Sequence, residues 1–316
     1  MTSLETILGS AGGVASLSYL QTRGVPRREV DRELRSGALL RVRQGWVASP
    51  AANAEIVQAV RVGGVLTCQS VLRRLGVWCD DDRLLHVRVG KHTTHLSAPH
   101  DRRMPLGRPG SRGVRIHRTV AGSEALETGR SVDSVEMAVI HLFHCEPRDN
   151  VIVSLDSILN KRILSHERLE EIASILPKKF RSFLSLVDSA AQSGLETKAR
   201  LGLRRHGIPY RSQVFVEGVG RVDLLIGDRV VLEVYGEAWH SGPLAYAEDR
   251  RRDLELLRQG FVVVRVSYAQ VMNQWALIEE VIRSLVARRE HMWAGRHRRA
   301  GLGGIALGGE QLNRTI

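Results

Sequence analysis

The chain has 316 residues, 43% of them hydrophobic, which is enough for two or three domains with sizeable cores. Lys and Arg total 46 against 34 acidic residues, a formal net charge of +12, and this balance favours a polyanion partner, nucleic acid first, over a merely basic housekeeping protein. Cys68, Cys79 and Cys145 stand far apart with no CxxC pair, which argues against a zinc ribbon and suits a reducing cytosol.

The opening MTSLETILGSAGGV has no basic start before an apolar core, and no run of about 18 apolar residues occurs; a cytoplasmic protein with no membrane contact is expected. Ser16 suits the cap of a short helix carrying Leu17 and Leu20. Pro26 suits the first turn of a second helix, about residues 26 to 36, with Val30 and Leu34 on one face and Arg27, Arg28, Arg32 and Arg35 on the others. Gly37 ends that helix, and LLRVRQGWVAS then reads as a two-stranded ribbon turning at QG. Helix, turn, basic helix and basic hairpin describe a winged helix over residues 1–60. The second helix would enter the major groove, and Arg41 and Arg43 would touch phosphate. A small structural helix pair with solvated arginines is the competing reading.

Residues 61–190 read as an α+β middle followed by a helical linker. VLTCQSVLRRLGVW has the spacing of one amphipathic helix, while LLHVRVG and GVRIHRTV alternate as strands. The Pro- and Gly-rich loop between them carries His92, His95 and His100, expected as solvated histidines because no carboxylate or thiolate spacing accompanies them.

From residue 191 the pattern becomes α/β. SGLETKARLGLRRHGI is a helix with Leu195, Ala199, Gly202 and Leu203 on its apolar stripe and Glu196 at the stripe's border. QVFVEGVG and RVDLLIG form a hairpin, VVLEVY is the next strand, and a helix of about 244 to 258, the strand FVVVRVS and a last helix of about 268 to 288 follow. The segment 291–316 is Gly-rich, begins basic, and reads as a flexible tail.

Two of these apolar strands each carry a carboxylate. Alternation puts Asp223 with Leu225 and Glu233 with Val231 and Tyr235, so adjacent strands would aim the two acids at one point. Converging carboxylates repel unless one is protonated or a divalent cation binds. Mg²⁺ takes one or two carboxylates plus water and phosphate oxygens. Salt bridges to Arg221 and Arg229 are the alternative.

The order helix-Glu, hairpin-Asp, strand-Glu, continued by EVYGEAWH and AEDRRRDLELLRQGFVVVRVSYAQV, resembles the PD-(D/E)XK nuclease superfamily, and within it the very-short-patch-repair endonucleases. The resemblance covers about 100 residues, 191–290, and implies a restriction-endonuclease-like core. It carries a catalytic set over to Glu196, Asp223, Glu233, His240 and Asp249, with Asp223 and Glu233 as ligands of Mg²⁺ or, in its stead, Mn²⁺. Tyr235 stands where the wider superfamily places Lys, and a phenol with a pKa near 10 does not replace that cation. His240 would then serve as general base, oriented by Asp249, with Lys198 and Arg250 holding phosphate. More diffusely, the first 190 residues resemble the AbiEi-type antitoxins, which begin with a winged helix.

The expected function is Mg²⁺-dependent hydrolysis of DNA phosphodiesters, directed by an N-terminal DNA-binding module. The alternative is an antitoxin-like transcriptional regulator whose nuclease fold is inactive. Double-stranded DNA is the expected partner; a homodimer is open, and a cognate toxin belongs to the regulator reading.

Overall fold

The computed structural model of the chain describes residues 3–80, 82–108, 111–119, 130–235, 243–303 and 307–308. Helices and short strands in small mixed sheets make it an α+β protein. It divides into two compact units, Met1–Val151 with Leu164–Ser185, and Ile152–Ile163 with Leu186–Ile316. No described helix is long and apolar enough to cross a membrane.

The first unit opens with α1 (Leu4–Ser10), β1 (Val14–Ser16), α2 (Leu17–Thr22), α3 (Arg27–Ser36), β2 (Leu40–Arg43) and β3 (Trp46–Ala48). Ser16 caps α2 by accepting the amide of Tyr19. Helix α3 starts one residue later than the Pro rule suggests: Pro26 is still extended at ψ 142°, and its carbonyl accepts the Glu29 amide at 3.0 Å. Gly37 at φ 81° ends it. The three strands form an antiparallel sheet in the order β1-β3-β2, and Leu8, Leu20, Val30 and Val47 share one core beneath it.

Next come α4 (Ala54–Val62), β4 (Val65–Leu66), α5 (Cys68–Arg74), β5 (Leu85–Val89), β6 (Val114–Arg118) and α6 (Val135–Cys145). The single helix expected from Val65 is divided. Val65 and Leu66 pair antiparallel with β5, and the Thr67 amide donates to His86 O at 3.0 Å, so the helix begins only at Cys68. Strands β5 and β6 run parallel. His92, His95 and His100 are exposed in the intervening loop. Helices α7 (Arg148–Asn160), α8 (His166–Ser174) and α9 (Arg181–Leu184) follow, with residues 152–160 of α7 belonging to the second unit.

The second unit continues with α10 (Gly194–Arg205), β7 (Tyr210–Val216), β8 (Gly220–Ile226), β9 (Val230–Tyr235), α11 (Pro243–Arg258), β10 (Val262–Ser267), α12 (Tyr268–Asn273), α13 (Trp275–Ala287), α14 (Gly295–Arg299) and β11 (Leu307–Gly308). Its sheet has the order β10-β9-β8-β7-β11, with β10 and β9 parallel and the other pairs antiparallel. Val222, Leu224, Leu225, Val231 and Leu232 are all buried, as strands covered on both faces require. The last helix expected, about 268 to 288, is two helices: Gln274 leaves the helical region at φ −132°, and Ser267 with Gln270 forms a capping box on α12. In the segment read as a flexible tail, Trp293 packs edge-on against Phe261 and β11 pairs with β7.

Candidate active site

Glu196 sits in the first turn of α10, where Ser193 caps the helix by accepting the Glu196 amide at 3.2 Å. Its own carboxylate reaches back to accept the Gln192 amide at 3.0 Å, a variant of the reciprocal cap that holds the side chain inward. Gln213 of β7 then links it to the sheet. The Gln213 amide donates to Glu196 at 2.8 Å and to Asp223 at 3.3 Å.

Asp223 lies on β8 one residue before Leu224, and Leu224 pairs with Leu232 of β9. The next rung therefore brings Asp223 opposite Glu233, on one face of the sheet. Asp223 Oδ2 accepts the Val234 amide at 2.9 Å, so a side chain takes over a backbone donor where the β8–β9 pairing stops. Two cations reach this pocket. Arg252 of α11 donates to Glu233 at 3.3 Å and to the Arg221 carbonyl at 2.6 Å. Arg265 of β10 is level with Glu233 in parallel register, lies over the Tyr235 ring at 4.8 Å, and pairs with Asp253. The counter-charges are thus Arg252 and Arg265 in place of Arg221 and Arg229. Arg229 is engaged by Glu290 and the Gly260 carbonyl.

Burial first, and then the charge of Asp223, pushes both Glu196 and Glu233 up to about 7. Burial also raises Asp223, opposed by the Val234 amide, Gln213 and the two arginines. The same burial lowers Arg265. Desolvation therefore outweighs the cations present, and the pocket gains from any further positive charge. Asp223 and Glu233 fit a small divalent ion on this ground: both are oxygen donors, they face one another, and their mutual repulsion is the cost that an ion would remove.

Asp249 is half-buried on α11, and its charge contributes to raising Glu233. Arg250 is exposed, ion-paired with Asp253 at 3.2 Å and stacked on Tyr246 at 5.3 Å. Lys198 is half-buried on α10. His240 lies outside the described residues. In the first unit, Arg27 pairs with Asp31 and Arg32 with Glu33, each at 3.0 Å; Arg28, Arg35 and Arg41 are exposed and Arg43 is half-buried. Sequence reading missed Gln213, Arg252 and Arg265. The available signal was a polar residue inside each of two apolar strands, SQVFV and VVVRVS.

No family model matches the chain. Over 173 residues it is 24% identical to two Mycobacterium tuberculosis proteins, the uncharacterized protein MT2308 of strain CDC 1551 / Oshkosh and the uncharacterized protein Rv2248 of strain ATCC 25618 / H37Rv. The match spans 51% of this chain and 64% of each relative, under two thirds of their length.

Proposed function

We propose that the second unit is a Mg²⁺-dependent endodeoxyribonuclease and that the N-terminal segment brings it to double-stranded DNA. The observation that carries this reading is the facing pair of half-buried Asp223 and buried Glu233, set among too few cations, with Glu233 pushed up to about 7. The run α10-β7-β8-β9-α11-β10 supports a restriction-endonuclease-like core, because the superfamily places its acids on that order of elements. Likewise, α1-β1-α2-α3-β2-β3 is the element order of a winged helix.

Asp223 and Glu233 would hold the ion, Mg²⁺ or Mn²⁺. Bound there, it would supply Lewis acidity to the phosphate under attack. Glu196 would belong to the catalytic set, and Gln213, bonded to both Glu196 and Asp223, would position the two acids. His240 would accept the proton of the attacking water, with Asp249 orienting it, and Lys198 and Arg250 would hold phosphate oxygens. In the first unit, α3 would enter the major groove while Arg41 and Arg43 on the β2–β3 hairpin touch phosphate.

A second reading is favoured by Tyr235. It occupies the position of the superfamily's lysine, and its ring is covered by Arg265. On that reading the nuclease fold is inactive, and the protein is a DNA-binding, antitoxin-like regulator, with a cognate toxin as partner. One experiment separates the two. Purified protein is incubated with supercoiled plasmid in Mg²⁺ or in chelator, and relaxation or linearisation is followed beside a gel-shift. Cleavage in Mg²⁺ alone supports the nuclease; a shift without cleavage supports the regulator.

A further inference from the structure

Cys68, His86, His117 and Cys145 are scattered along the chain, yet they meet inside the first unit. One ligand atom from each lies within 4.8 Å of all the others. Cys68 opens α5, fully buried, with its backbone in the left-handed region at φ 50°. His86 and His117 come from the parallel strands β5 and β6. Register pairs His86 with Arg115 and Arg88 with His117, so the two imidazoles share one face of the sheet. Cys145 closes α6 and is the one partly exposed member.

The distances within the group suit a single ion. His86 Nδ1 is 3.0 Å from His117 Nε2 and 3.9 Å from Cys145 Sγ. A tetrahedron of two nitrogens and two sulfurs about zinc has edges of about 3.3 Å between nitrogens and about 3.8 Å between sulfurs, given the usual bond lengths. The surroundings favour one histidine tautomer. His86 Nε2 stands 3.1 Å from Asp82 Oδ2, an oxygen that accepts a hydrogen carried on Nε2. The Nδ1 lone pair then faces His117 and Cys145. A carboxylate behind a histidine, with the other ring nitrogen turned to a cluster of donors, is the usual outer support of a metal-binding imidazole. The His86 amide donates to Ser70 Oγ at 3.0 Å, which ties the strand to α5.

We propose that Cys68, His86, His117 and Cys145 form a tetrahedral structural site for Zn²⁺, with Asp82 orienting His86. Two thiolates and two imidazoles are the donor set zinc prefers over Mg²⁺, and four protein ligands leave no position for a substrate. The site joins α5, β5, β6 and α6, so the ion acts as a cross-link within the first unit. It is separate in residues and in chemistry from the carboxylates of β8 and β9.

The test uses the full chain, purified under reducing conditions from zinc-supplemented growth. Elemental analysis should find about one zinc per chain, as a four-ligand structural site holds. Protein stripped of metal and titrated with Co²⁺ should develop the intense visible bands of tetrahedral cobalt together with a thiolate charge-transfer band. Cys145→Ala and His117→Ala should lose the zinc, while Asp223→Asn with Glu233→Gln should keep it. The cobalt spectrum of the unaltered protein needs no variant, so it decides the matter even if a ligand variant fails to fold. The proposal is overturned by a weak octahedral cobalt spectrum, by apo-protein that takes up no zinc, by full zinc retention in Cys145→Ala, or by a Cys68–Cys145 disulfide in the isolated protein.

Discussion

Arg265 stands level with Glu233 on the neighbouring parallel strand, and its guanidinium covers the ring of Tyr235. Arg265 thus reaches the pocket from β10, with Arg252 arriving beside it from α11. Asp223→Asn and Glu233→Gln should each lower Mg²⁺-dependent plasmid cleavage by about 10²-fold or more, since an ion at the phosphate is worth several kcal/mol of barrier. Affinity for duplex DNA, measured by gel-shift in chelator, should be retained. A variant that cuts at the unaltered rate would place the chemistry elsewhere.

The raised glutamates predict the dependence of stability on pH. With folded values of about 7 against an ordinary 4.5, Glu196 and Glu233 bind protons in the folded state that the unfolded chain has released. Their stabilising contribution is full below the unfolded value and is lost as pH rises through about 7. Glu233→Gln should therefore be the more stable protein at pH 8, by about 1–3 kcal/mol, and should lose that advantage at pH 5. Millimolar Mg²⁺ should raise the pH 8 melting temperature of the unaltered chain and leave the variant unmoved. Urea unfolding at the two pH values checks the first outcome and thermal melts the second.

For DNA binding, the arginines divide by what they already touch. Arg27, Arg28, Arg32, Arg35 and Arg41 are all exposed, but Arg27 and Arg32 are already paired with Asp31 and Glu33. Replacing Arg28, Arg35 and Arg41 with alanine should reduce the slope of log K against log salt by about one unit for each phosphate left without its arginine. Replacing Arg27 should do less, because Asp31 already offsets its charge. Fluorescence anisotropy over a salt series reads the slope; an unchanged slope would make α3 a structural helix.

Gly202 marks a close approach of two helices. A Cβ at this position would fall 2.1 Å from Trp275 Cζ2 of α13. Gly202→Val should cost about 2–3 kcal/mol through overpacking. Part of that should return in the double variant with Trp275→Leu, which denaturant midpoints would reveal as non-additivity.

Asp156 of α7 is a buried anion with three partners in the second unit. It pairs with Arg200 and accepts from Thr197 Oγ1 at 2.7 Å and from the Asp188 amide at 2.8 Å. Asp156→Ala would strand the Arg200 guanidinium in the interior and should cost about 3–5 kcal/mol in chemical denaturation. A loss below about 0.5 kcal/mol, the size of an ordinary surface change, would mean that Arg200 finds another partner.

The local steps of this fold were written in short stretches of sequence. The stripe of Leu195, Ala199, Gly202 and Leu203 specified α10, the glycines at 37 and 45 ended a helix and turned a hairpin, and alternation put Asp223 and Glu233 on one face. Such features follow from helix and strand periods and from the steric freedom of glycine, which act over a few residues. Helix α12 ended at Gln274 without any Gly or Pro to announce it, so that break was not legible. Only the tertiary structure decided which arginines meet Glu233, that Gln213 stands between Glu196 and Asp223, and that Trp275 fills the space left by Gly202. The same holds for the sulfur and nitrogen ligands: His86 and His117 are 31 residues apart, and His86 and Cys145 are 59 apart. Their meeting depends on how β5, β6 and α6 pack, a long-range arrangement that leaves no periodic trace in the chain, so cysteines without a CxxC pair meet the histidines only in three dimensions.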